Sequence, residues 1–398
     1  MALEKNIKIS KIDYLLAFLF LVLCNFTSSD VIPGKTYILT CIGLYYFIKK
    51  GNFPQGKKLL ICILSYFFVG CMQYIHFHDV NRRAILELPL LIISGYFIVN
   101  YLGGKFRFLY LKLLYYISII SLFFYFAMIV VGYIPSSFFD SENYKSIFIY
   151  NIRYNEILQR RNCGPFWEPG AFGGYLAFIG ILYFNELGEL WRKYKKEVLI
   201  ILLTIITTFS TQTYITVFLI VAFYFLRYLS GIRLFFSACF IGMLVFFAYT
   251  SLDFLGEKIQ TQIELTRNID NASLESANRF TTFVTEMDIF MSCPYIGNTT
   301  NISILYRDYP YIQSIIERNG HYGSGSGISS NLAMYGLFPF LFWLIFSYKN
   351  FRRCNGMKSA IFCMVIALLL GNGEQYSDQI LYLSLPFITS FKFNFKET

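Results

Sequence analysis

The sequence predicts an all-α polytopic membrane protein with about twelve transmembrane helices, and three observations carry that expectation. Only 15% of the 398 residues are charged, while 56% are hydrophobic; a soluble domain would carry roughly 25% charged residues. The mean hydropathy of +0.51 is concentrated in repeated apolar runs. Each run is about 20 residues long, the length that crosses a bilayer as a helix. Most of the 34 Lys and Arg residues then fall in every second connection between runs, as the positive-inside rule requires.

The runs are centred near Leu21, Leu39, Phe67, Ile92, Ser121, Ile179, Leu203, Phe218, Phe240, Phe338, Ile366 and Leu385. No small-residue cleavage site follows the first run, and a second begins almost at once, so it reads as a membrane helix and not a secretion signal. Basic clusters precede the first run (Lys5, Lys8, Lys11) and follow the second (Lys49, Lys50, Lys57, Lys58), the fourth (Lys105, Arg107, Lys112) and the sixth (Arg192, Lys193, Lys195, Lys196). Others follow the eighth (Arg227, Arg233) and the tenth (Lys349, Arg352, Arg353, Lys358), and Lys392 and Lys396 end the chain. With twelve helices all of them share one side, which makes both termini cytoplasmic. The net charge of +10 then follows from topology, without nucleic acid as a partner. The nine cysteines show no C-x-x-C spacing, and no metal or other cofactor is expected. Only Cys163 and Cys293 fall in the large outer loops, and whether they pair stays open.

The chain reads as one integral membrane domain, 1–398, with two long outer loops at 135–169 and 251–327. Connections of that length in a compact helical protein usually serve function. In the second, Phe280, Phe283, Val284, Met287, Phe290 and Met291 recur at helical spacing. They predict an amphipathic helix that lies on the membrane or caps the bundle, with Arg279 at its start.

Chemistry concentrates in these loops. Their cations are mostly arginine, whose planar fork of donors matches phosphate oxygens two at a time. Arg161 and Arg279 stand beside structured elements; pairing with loop acids is the alternative. Glu168, between Trp167 and Pro169, is an acid favoured by a helix N-terminus, a partly desolvated base, or a group that orients Arg161. His321 precedes the Gly-rich run that begins Tyr322-Gly323, which serves as an anion-binding backbone or as a plain linker. The catalytic candidates are therefore Arg161, Arg279, Glu168 and His321. The substrate-binding candidates are Arg153, Arg160, Trp167, Gly164, Ser210 and Tyr322, with Ser210 in a tight polar turn after the seventh run. Glu87 is expected to pair with Arg83 at i,i+4 spacing. Glu286 and Asp288, two apart on a helix, point to different faces and do not form a metal site.

These parts, in this order, resemble the bacterial O-antigen polymerase and O-antigen ligase superfamily. The resemblance rests on about twelve helices and an outer loop ending Arg161-Asn-Cys-Gly-Pro-Phe-Trp-Glu-Pro-Gly. It continues with the short helix pair around Ser210, Arg279 on a helix in a long outer loop, and a His and Gly segment leading to Asn331-Leu332-Ala333-Met334-Tyr335-Gly336-Leu337. Arg153 and Gly164 fit an R-x10-G pattern of such polymerases, whereas His321 stands farther from Gly336 than the family's usual spacing.

The resemblance implies a membrane glycosyltransferase fold of the C type in the bacterial cytoplasmic membrane. It implies polymerisation of oligosaccharide repeat units carried on undecaprenyl pyrophosphate into an O-antigen, capsule or exopolysaccharide at the outer face. Its partners would be those lipid-linked glycans, membrane lipid and a chain-length regulator. Arg161 and Arg279 would stabilise the leaving pyrophosphate without a metal, and Glu168 or His321 would take the acceptor proton. The alternatives are glycan transfer by a ligase to a lipid or protein acceptor, and a glycolipid transporter or flippase.

Overall fold

A backbone that enters hydrocarbon must satisfy its own polar groups, and apolar runs of this length do so as helices. The computed structural model describes residues 9–27, 32, 34–51, 54–131, 139–140, 144–147, 149–153, 161–229, 231–233, 235–237, 279–310, 312–313, 327–373 and 376–388. Helix α1 (Lys11–Asn25) opens on a capping box: the Ser10 hydroxyl accepts from the Asp13 amide, and the Asp13 carboxylate accepts from the Ser10 amide. Helices α2 (Lys35–Lys50), α3 (Gly56–Phe77), α4 (Leu88–Leu102) and α5 (Lys105–Val131) follow, α4 being entered through a π turn at Arg83–Glu87. Next come α6 (Pro169–Leu182), α7 (Leu187–Lys193), α8 (Lys195–Thr207) and α9 (Thr211–Leu226). The second half holds α10 (Arg279–Ser292), α11 (Ile302–Leu305), α12 (Gly327–Tyr335), α13 (Leu337–Asn355), α14 (Met357–Gly373) and α15 (Ile380–Leu383). The ninth apolar run, near Phe240, lies outside the described residues.

Helices α3, the stretch Arg83–Leu102 and α5 are long and apolar enough to cross a membrane; α6, α9 and α14 are apolar but shorter. On α3, Leu60, Leu64, Phe67, Phe68 and Ile75 form an exposed stripe, and on α5 Tyr116, Ile119, Phe123 and Val130 form another. Stripes of that size cost free energy in water and none in lipid. This is the surface of a membrane protein. The core runs through α1, α5 and α6, where Phe166 stacks on Phe172 and Tyr175.

Two departures from the sequence reading have physical causes. The first outer loop is not irregular throughout: β1 (Phe139–Asp140), β2 (Tyr144–Ser146) and β3 (Asn151–Arg153) form an antiparallel sheet in that order. The last apolar run is no long helix in its described part, but α15 followed by one 3-10 turn at Leu385–Phe387. Asn350 donates to the Leu385 and Ile388 carbonyls at 2.9 and 2.8 Å, and the Trp343 indole donates to the Tyr382 carbonyl. Those bonds hold the segment inside the bundle, where Ile380 to Ile388 are buried.

The polar contacts sort into two ends. At one, Lys105 meets Asp13 at 2.9 Å, Arg107 meets Glu186 at 2.8 Å and Lys112 meets Glu197 at 2.7 Å. At the other, amides and hydroxyls dominate. The Asn151 amide donates to the Thr27 hydroxyl, and the Gln73 amide to the Ile296 and Met334 carbonyls. Lys105, Arg107 and Lys112, three of the basic residues that the sequence puts on one side, thus share one end of the helices.

Candidate functional site

The stretch Arg161–Pro169 lies at the amide-rich end and is fixed chiefly by Asn162, which is fully buried. Its backbone amide donates to the Thr207 carbonyl at 3.0 Å and its side-chain amide to the Thr207 hydroxyl at 2.9 Å. Its side-chain oxygen accepts from the Ser121 hydroxyl at 2.6 Å and from the Gly164 amide at 3.0 Å. One side chain therefore joins α5, the end of α8 and the turn itself. Gly164 has φ +54°, and a Cβ there would stand 2.7 Å from the Phe172 ring, so only glycine fits. Its carbonyl accepts from the Asn151 amide at 2.7 Å, which ties the small sheet to the turn.

The chain then enters α6 with Glu168 as N-cap in extended backbone and Pro169 in the first turn. Proline suits that position because its missing N–H would have no helical partner. The half-buried Glu168 makes no side-chain cap bond. Arg161, also half-buried, donates from Nε to the Thr208 carbonyl at 3.1 Å. It sits at the tight turn between α8 and α9, where the Ser210 hydroxyl caps α9 by accepting from the Thr213 amide. Trp167 packs against Tyr175 and Tyr376. The Tyr376 hydroxyl donates to the Gly170 and Ala171 carbonyls at 2.9 and 2.5 Å. Beneath the turn, burial pushes the Tyr150 phenol well up, which keeps it neutral.

The structure therefore brings Arg161, Gly164, Trp167, Glu168 and Ser210 into one neighbourhood. Gly164 and Ser210 serve the backbone there. Arg160, His321 and Tyr322 lie outside the described residues. Arg153 ends β3, paired with Tyr144, and Arg279 begins α10; the side chains of both lie outside the described set.

Helix α10 packs on α12 and turns much of its apolar face outward. Thr282, Thr285, Glu286 and Ile289 are buried, while Val284 and Met291 are exposed. Glu286 explains this. Its carboxylate accepts from the Ser329 hydroxyl at 2.6 Å and the Tyr306 hydroxyl at 3.1 Å, partners that lie on the inner side. Asp288 turns to the other side and accepts from the Tyr309 hydroxyl. A short turn then leads to Gly297, whose backbone lies against that of Gly336 between α12 and α13; a Cβ on either would stand 2.5 Å from the other's backbone nitrogen. Cys163 and Cys293 form no disulfide with each other, and burial pushes the Cys293 thiol up.

Arg83 forms its ion pair with Asp378 and not with Glu87. The π turn at 83–87 changes the spacing on which the i,i+4 expectation depends. Nearby, the Asn331 amide meets the Ser377 hydroxyl, and that hydroxyl donates to the Gly327 carbonyl at 2.7 Å. Sequence reasoning missed Asn162 and Asp378. Asn162 carried one signal, a polar amide between an arginine and a Gly-Pro turn. Among the described residues no group of three or more His, Cys, Asp or Glu could hold a metal ion.

Compared with models of known protein families, the sequence matches none. Compared with curated proteins, it matches none at a significant level.

Proposed function

We propose that the chain polymerises glycan repeat units carried on undecaprenyl pyrophosphate, at the outer face of a bacterial cytoplasmic membrane. In this reading it is a twelve-span bundle of the C-type glycosyltransferase kind, and the amide-rich end faces outward. The observation that carries the reading is the rigid turn at 161–168. It holds Arg161 and Glu168 at the mouth of α6, remote from the ion-paired basic end.

The chemistry needs no nucleotide sugar. The acceptor hydroxyl oxygen attacks the anomeric carbon of the donor glycan, and the bond from that carbon to the pyrophosphate oxygen breaks. The hydroxyl proton passes to a base, for which Glu168 and His321 are the candidates. The leaving pyrophosphate gains charge in the transition state, and Arg161 with Arg279 would stabilise it. Two lipid-tethered substrates held side by side gain further from proximity.

Deleting the gene and examining surface glycan and lipid-linked intermediates tests the reading. A polymerase leaves single repeat units at the surface. Long chains left on the carrier would instead mark a ligase, and repeat units stranded on the inner leaflet a flippase. Arg161→Ala and Arg279→Ala should each abolish chain extension at normal protein level; full extension in either removes that arginine from the site.

A further inference from the structure

At the opposite, ion-paired end the structure holds an open cleft of about 530 Å³ between the end of α9 and the start of α14. Its lining includes Arg227, Lys358, Asn185 and Tyr228, and no acidic residue. Arg227 is held in place. It donates from Nη1 to the Asn185 side chain at 2.6 Å and the Phe184 carbonyl at 3.2 Å, and from Nη2 to the Asn185 carbonyl at 2.9 Å and the Tyr228 hydroxyl, and it lies 4.2 Å from the Tyr224 ring centre. Its Nε is buried without a hydrogen-bond partner. Arg227 therefore offers the cleft a fixed charge, and Lys358 offers the mobile donor. Lys358 is exposed and bonds the Leu229 carbonyl at 2.9 Å. Residues Met357 to Ser359 also line the cleft. They form the first turn of a 17-residue helix with no acid in that turn, so its positive dipole end adds to the two cations.

Two apolar ridges lead away from this cationic cleft. Met357, Ile361 and Val365 are exposed along α14, and Tyr228, Phe225 and Val221 along α9. The two helices are joined by Phe223 stacked on Phe362 at 4.5 Å. Eight residues of helix give each ridge about 12 Å, a length that suits the upper part of an acyl chain.

We infer that this cleft binds the phosphodiester headgroup of an anionic phospholipid, with the acyl chains on the two ridges. Basic pockets between helices on the Lys/Arg-rich side of a membrane protein suit that chemistry, and the mix of cationic floor and apolar walls suits a lipid better than a free anion. The inference rests on the membrane reading alone and stands apart from the glycan chemistry at the other end.

The test uses the purified full chain in mixed micelles holding equal amounts of phosphatidylglycerol and phosphatidylcholine, with bound lipid counted by native mass spectrometry. The wild type should retain phosphatidylglycerol in preference, and excess inorganic phosphate should not displace it. Lys358→Glu should lower that retention by about fivefold or more, one basic residue near a surface being worth about that factor. Arg227→Ala should do the same; where it fails to fold, the exposed Lys358→Glu still decides. Equal retention of both lipids, unchanged retention in Lys358→Glu, or displacement by inorganic phosphate would each overturn the lipid site.

Discussion

The two ends of the bundle are held by different forces. At the basic end, α5 is fastened to α1 and to the α6–α8 connection by Lys105–Asp13, Arg107–Glu186 and Lys112–Glu197. At the other end neutral groups carry most of the fastening: Asn162, Asn151 and Gln73 tie loops to helices, with Arg83–Asp378 as an ion pair among them. Ion pairs depend on pH and salt, whereas buried amide bonds depend on geometry.

The comparison can be broken at its strongest point first. Asn162→Ala strips partners from Thr207, Ser121 and Gly164 at once. At about 1–3 kcal/mol for each unmet buried group, the expected loss is about 3–5 kcal/mol. Thermal unfolding in detergent measures it, and a loss under about 1 kcal/mol would show that the turn holds without this residue. Arg107→Ala comes next, at about 3 kcal/mol, because it strands a largely buried carboxylate; the same assay reads it.

Glu186 sharpens the contrast through pH. Burial pushes its carboxyl above the ordinary value, and Arg107 offsets this only in part. A carboxyl that holds its proton more tightly when folded contributes stability below its unfolded pKa and loses it as pH rises through the raised value. Unfolding followed across that acidic window should show the wild type losing stability as pH rises, and Glu186→Gln should flatten the slope. A wild type that gains stability through Glu186 over that window contradicts the expectation.

Smaller effects test a half-buried ion pair and an exposed side chain. A double-mutant cycle on Lys112 and Glu197 should give about 1 kcal/mol of coupling, reduced by salt. Coupling that is unchanged in high salt would remove the distinction between the ends. On α10, Met291→Ser should change unfolding stability by less than about 0.5 kcal/mol, since the side chain leaves the protein surface. A loss above about 2 kcal/mol would mean that the outer face is packed after all.

How legible this was in the sequence depended on the force involved. Apolar runs and alternating charge pointed to helices, to the shared end of the basic clusters and to the turn that begins α6. Those features follow from composition over many residues. For α10 the periodicity predicted an amphipathic helix on the membrane or capping the bundle, but it did not tell which face meets the protein. Here Glu286, with Ser329 and Tyr306 as partners, outweighs Val284 and Met291. Arg83 was given the wrong acid because a π turn alters spacing that the sequence does not display. Asp378 lies 295 residues from Arg83, and no local rule connects the two. Within the site, the backbone frame was visible in Gly-Pro and Glu-Pro, but the residue that fixes it, Asn162, acts through four partners spread over three separate stretches.

The contact between Gly297 and Gly336 has one further consequence. Most faults in a packed protein can be repaired by trimming a neighbouring side chain, but here the atoms nearest to either residue are main chain, of Met334, Tyr335 and Gly336 on one side and of Tyr295 and Gly297 on the other. A methyl group added at either position meets atoms that no substitution can remove. Searches for suppressors of an alanine at one of them should return reversion alone, so this joint behaves genetically as a single indivisible position.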